Sequence, residues 1–195
     1  MQRLFFVILC VSLLFACQDK SVSSKKPGSE ESALKSAPAQ VYFQGNYTEA
    51  VLKEICEAKS KILVQARSSV SAPIAGALVE AHKEGVKVEA SVGKIFGRSK
   101  PGTEAYLANG GIPVYFSQRT KFSNETMVID GKIVITGSFD PGKEEGDTGH
   151  LTVIKSPELA DAYIENWKKG KQNARLYQAK AKSVPAQRTR YKRKP

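Results

Sequence analysis

Hydrophobic and polar positions divide the 195-residue chain into four stretches. The first is an apolar run, Leu4–Phe15, preceded by Arg3 and followed by Ala16 and Cys17. A membrane-spanning helix needs about 20 apolar residues, so a run this short fits the core of a secretory signal instead. Residues 18–40 carry Ser, Lys, Pro and Ala with almost nothing apolar, and are read as a flexible tether.

From residue 41 the periods change. Val41–Phe43 predicts a short strand, and 48–58 a helix with Val51, Leu52, Ile55 and Cys56 on one stripe. KILVQA (61–66) is a continuous apolar run of the kind that forms a strand covered on both faces. Ser71 is placed as the N-cap of a helix with Pro73 in its first turn; Ile74, Leu78 and Ala81 point inward and Gly85 ends it. VKVEASV (86–92) is a strand, 101–107 a short helix, and IPVYF (112–116) a further strand. TMVI (126–129) and IVIT (133–136) flank Asp130-Gly131-Lys132, a tight hairpin signal. LTVI (151–154) is the last predicted strand, and Ser156-Pro157-Glu158 opens a helix through Ala160, Tyr163 and Trp167. Strand–helix alternation followed by a hairpin predicts an α/β fold, a mixed sheet with helices on both faces, over residues 41–170. Residues 171–195 are read as a basic, disordered tail.

Charge sharpens this division. From Asn166 onward the chain has 11 Lys and Arg and no acidic residue, whereas the other 19 basic residues are matched by 19 acidic ones. The formal charge of +11 is therefore a property of the tail. Arg175, Lys180, Lys182, Arg188, Arg190, Lys192, Arg193 and Lys194 are the candidate polyanion-binding set, with Tyr177 and Tyr191 available to stack on bases. Anionic lipid headgroups or cell-wall polymers are the less specific partners such a tail also suits.

Leu14, Ala16 and Cys17 resemble a bacterial lipobox, which implies a lipid-anchored lipoprotein of the cell envelope with Cys17 lipidated. Gln18 after the cysteine is similar to the sorting pattern for an outer membrane. Cys10 would leave with the signal, so Cys56 remains as a lone thiol, read as a core residue.

The segments ILVQARSSVSAPIAGALVEAHKEGVKV, NGGIPV and MVIDGKIVITGSF resemble single-motif members of the phospholipase D superfamily, which include bacterial periplasmic endonucleases. That resemblance implies a site built from a His, a Lys two residues on, an Asp five further, then Gly-Ser and an Asn. One His attacks phosphorus, a second from another copy protonates the leaving oxygen, and no metal or other cofactor is needed. It also implies a twofold homodimer that brings two motifs together.

Here the spacing is kept and the groups are changed. Ser123 stands at the nucleophile position and Glu125 at the Lys position; Asp130, Gly137 and Ser138 are kept; Asp140 stands for the Asn. The family glutamate that orients the histidine would fall near Gly149. Two unit charges about 4 Å apart interact by roughly 4 kcal/mol at an effective dielectric near 20, so replacing Lys by Glu beside a phosphate costs about 8 kcal/mol before screening. His82 is read as a packed or capping residue and His150 as a possible auxiliary to the old site. Glu125, Asp130, Asp140 and Asp147 are read as a solvated acidic patch rather than a cation site.

The sequence thus leads to an envelope lipoprotein with a non-catalytic phospholipase D-like domain that binds a polyanion. The alternative is a phosphodiesterase acting on phospholipid or nucleic acid through a remodelled site, with Ser123 as nucleophile and His150 or Glu125 as base.

Overall fold

The computed structural model describes residues 37–43, 47–67, 70–93, 102–117, 125–138 and 149–178. The signal, Cys17, the tether to residue 36, Ser123, Asp140, Asp147 and every basic tail residue after 178 lie outside these.

Eight strands form one mixed sheet: β1 (Ala39–Phe43), β2 (Lys61–Ala66), β3 (Lys87–Gly93), β4 (Val114–Ser117), β5 (Glu125–Ile129), β6 (Ile133–Gly137), β7 (His150–Lys155) and β8 (Ala174–Leu176). The helices are α1 (Tyr47–Glu57), α2 (Ala72–Lys83), α3 (Thr103–Asn109) and α4 (Pro157–Gln172). The strand order is β1-β7-β6-β5-β2-β3-β4-β8. β2, β3 and β4 run parallel, joined through α2 and α3. β5, β6, β7 and β1 continue the sheet antiparallel on one side, and β8 closes the other edge antiparallel to β4.

Helices cover both faces. Ile62, Val64 and Ala66 of β2 join the larger core, shared with α1 and α2, whereas Leu63 packs with Val128, Val134, Ala160 and Trp167 beneath α4. β2 is thus buried on both sides, which is why its sequence lacks alternation. Trp167 is tied down through its indole N–H, which donates to the Val64 carbonyl at 3.1 Å.

Local chemistry sets the element ends. Asp130 and Gly131 both take positive φ (53° and 63°) between β5 and β6, and Lys132 N–H bonds back to Ile129 O. That is the primed turn a two-stranded ribbon needs to keep its twist. Gly85 takes φ 96° after α2 while Val86 N–H reaches back to Ala81 O, a left-handed C-cap. The His82 ring sits 3.1 Å from Val86 O at the same helix end. Ser156 caps α4 by accepting from Leu159 N–H at 3.2 Å.

Four expectations need correction. Ser71 occupies the N-cap position of α2, but its hydroxyl makes no capping bond. Pro73 already removes one of the N–H groups that a cap would serve, which lowers what the side chain could gain. The acidic set does not gather into one solvated patch, because Glu125 is buried and Asp130 lies at the other end of β5. Cys56 is half-buried rather than a core residue. Finally, the tail does not begin at 171: α4 runs to Gln172, and residues 174–176 form β8 against Tyr115–Ser117. Tyr177 N–H bonds Val114 O, and its ring packs edge-on against Phe116 with centroids 5.1 Å apart. Three residues carry too little periodicity to signal a strand, and here the open edge of β4 supplies the partner.

Candidate active site

One end of the sheet gathers the carboxyl ends of β1, β2, β3, β4 and β6 with the amino ends of β5 and β7. In open α/β sheets the crevice at the carboxyl ends of parallel strands is where ligands bind. Glu125, Ser138 and His150 all sit at this end, beside Arg67 at the exit of β2.

Glu125 is 3% exposed. It opens β5 opposite Gly137, beside the apolar side chains of Val51, Val70, Ile74 and Met127. A carboxylate survives there because it is paired: Arg67 backbone N–H lies 3.1 and 3.2 Å from its two oxygens, and Arg67 Nε lies 3.3 Å from Oε1. The Arg67 side chain remains 40% exposed. Arg67 was missed in the sequence. Its signal was a cation directly after a buried strand, in reach of a motif position whose charge had been reversed. Its presence also offsets much of the electrostatic penalty that Glu125 alone would impose.

Close packing fixes this end of the sheet. A Cβ on Gly93 would stand 2.3 Å from the Arg67 carbonyl, and one on Gly137 would stand 2.0 Å from the His150 carbonyl. Both strands therefore approach their neighbours where only glycine fits. Tyr47, at the start of α1, donates its hydroxyl to the Gly149 carbonyl and ties the entry of β7 to that helix.

Ser138 and His150 face each other across β6 and β7. Ser138 N–H donates to His150 O at 3.1 Å, and Ser138 Oγ lies 3.2 Å from His150 Nδ1. Both residues are exposed, and the Phe43 ring lies 6.4 Å from the imidazole, centroid to centroid. Strand alternation puts this pair on the α4 face, whereas Glu125 lies on the face of Met127 and Ile129, toward α1 and α2.

Asp130 lies at the opposite end of β5. Its carboxylate accepts backbone N–H groups of Lys59, Ser60 and Lys61 at 2.8, 2.8 and 2.9 Å, and the Ser60 hydroxyl at 2.9 Å. Burial pushes its pKa up, but these donors outweigh it and hold the carboxyl below its ordinary range. The structure thus separates these candidate residues: Glu125, Ser138 and His150 share one end, and Asp130 does not. Arg175 sits in β8, opposite Phe116 and exposed.

A family model described as "Cardiolipin synthase, PLD-like domain" matches residues 51–170. The chain belongs to the phospholipase D superfamily. Proteins named phospholipase D from Rickettsia conorii and Rickettsia felis are each 29% identical to it over 123 residues. The match spans 62% of this chain and 62% of each relative. Among solved structures, the phospholipase D family member Nuc from Salmonella typhimurium superposes with a TM-score of 0.67 at 29% identity. That superposition covers 72% of this chain and 98% of Nuc. NucT from Helicobacter pylori superposes with a TM-score of 0.64 over 72% of this chain and 99% of its own, at 16% identity, a likeness of fold. The domain is therefore a phospholipase D-like phosphodiesterase fold, and its sheet carries a buried, paired glutamate at residue 125.

Proposed function

We propose that this superfamily member is an envelope lipoprotein, anchored through lipidated Cys17, whose domain no longer hydrolyses phosphodiesters and which binds a polyanion. One observation carries the reading. Glu125 is sequestered by two backbone contacts and a guanidinium, so the position that should hold a phosphate-binding cation holds an ion pair built into the fold. The basic residues Lys180, Lys182, Arg188, Arg190, Lys192, Arg193 and Lys194, with Arg175, engage nucleic acid or another envelope polyanion. A twofold homodimer is part of this reading and doubles the number of tails.

Hydrolysis of a generic phosphodiester, DNA and phosphatidylcholine is the test, with Ser123→Ala in parallel. The expected result is no turnover above background. DNA binding should weaken steeply with salt and vanish when residues 179–195 are removed. Turnover lost in Ser123→Ala would overturn the reading.

The Ser138–His150 contact favours a second reading, a phosphodiesterase with a rebuilt site. A serine hydroxyl beside an imidazole has the base that an isolated serine lacks. On that reading turnover is present and His150→Ala abolishes it.

A further inference from the structure

We infer that Arg67, held in place by Glu125, is an oxyanion-binding group of this crevice, and that its ligand class is a phosphate-type anion. The inference rests on the polyanion reading above for its ligand class and adds to the tail a separate single-anion site in the folded domain. Glu125 anchors the guanidinium at one corner, through Nε, and fixes the backbone from which the side chain leaves. Among the described residues no second acceptor engages that guanidinium. Its two terminal nitrogens form a planar fork of the kind that matches two oxygens of one tetrahedral anion. The side chain is partly exposed, at the end of the sheet where β2, β3 and β4 finish.

Charge favours the anion despite the carboxylate. An anion on the fork touches the guanidinium directly, while Glu125 engages it at Nε, 3.3 Å from Oε1. Coulomb energy falls with distance, so the nearer positive group wins. The arrangement also accounts for Glu125 itself: a lysine at 125 would stand beside Arg67, and like charges there would repel. The cation has in effect moved one strand over, from β5 to β2, with the carboxylate as its positioning residue.

Calorimetric titration of the full chain with inorganic phosphate tests this. The expected result is one saturable site, retained when residues 179–195 are removed, since every described element ends before them. Arg67→Lys keeps the charge, loses the fork and should bind less tightly. Arg67→Ala leaves Glu125 buried and unpaired and so risks misfolding; the double variant Arg67→Gln with Glu125→Gln removes both charges together. That variant should retain wild-type circular dichroism and bind phosphate at least about tenfold more weakly, the loss expected for a charge-assisted hydrogen-bonded pair. No saturable phosphate binding by the wild type, unchanged binding by the double variant, or loss on tail removal alone would each overturn the inference. Detected hydrolysis would instead overturn the non-catalytic reading and leave the Arg67 site standing.

Discussion

The Asp130 carboxylate accepts the backbone N–H of Lys61 at 2.9 Å and so closes the turn into β2, across the sheet from where its motif neighbours lie. Its folded pKa is lowered, burial opposing and the Lys61, Lys59 and Ser60 donors prevailing. A carboxyl with a depressed folded pKa adds stability that is present above its unfolded value, near 3.9. That stability is lost as pH falls through the lower folded value. Asp130→Asn should therefore cost about 1–2 kcal/mol at pH 7, because a neutral amide accepts more weakly at its one oxygen and turns a donating NH2 toward the remaining N–H. The positive φ of 53° is one that Asn tolerates, so backbone strain does not confuse the comparison. Urea unfolding at pH 7 and pH 3 is the measurement. The gap between wild type and variant should narrow at the lower pH, and a constant gap would rule out the charge as its origin.

Glu125 and Arg67 should behave as a unit. Glu125→Lys places two cations together where Glu125 is buried. Breaking a buried pair costs about 3–5 kcal/mol; the half-exposed arginine reduces this to about 2–3 kcal/mol. Arg67→Glu combined with Glu125→Lys should recover part of the loss. A double-mutant cycle read by denaturant midpoints gives the coupling directly. Additive losses would show that the pair does not hold this end of the sheet together.

The hairpin and β2 were legible in the sequence because local rules decide them. Asp130-Gly131 permits the positive φ values the turn requires, and the short β-branched-rich run Ile62-Leu63-Val64 fits a strand buried on both faces. The Glu125–Arg67 pair was not legible. The two residues lie 58 positions apart, and a reversed charge at a motif position says nothing about which residue compensates for it. The Ser138–His150 contact was hidden for a similar reason: it depends on the register of β6 against β7, which the connecting loop length does not set. β8 escaped because its pairing comes from an open edge and not from its own residues.

Gly137 should be intolerant of any side chain. A Cβ there would stand 2.0 Å from the His150 carbonyl, and that atom is backbone in the neighbouring strand. Relief requires β6 and β7 to separate at the crevice. Gly137→Ala should lower stability by about 1–3 kcal/mol, the range for an overpacked interior. It should also break the Ser138–His150 contact, so the His150 imidazole signals in a proton NMR spectrum should shift. A variant as stable as the wild type, with unmoved histidine signals, would contradict the geometry at this end of the sheet.

Trp167 is the chain's sole tryptophan, and its indole links α4 to the middle of β2. Its ring is buried against the smaller core and meets Tyr115 edge-on, with centroids 6.1 Å apart. Trp167→Phe keeps an aromatic ring but removes the N–H donor and leaves a void where the second ring stood. The expected cost is about 1–3 kcal/mol, because a lost buried hydrogen bond and a small cavity contribute in the same direction. Circular dichroism should follow urea unfolding of both proteins, and tryptophan fluorescence that of the wild type as well. In the wild type both probes should report a single shared transition, since α4 is the only helix among the described residues that covers this face. Two separated transitions would mean that α4 leaves the sheet before the sheet itself unfolds.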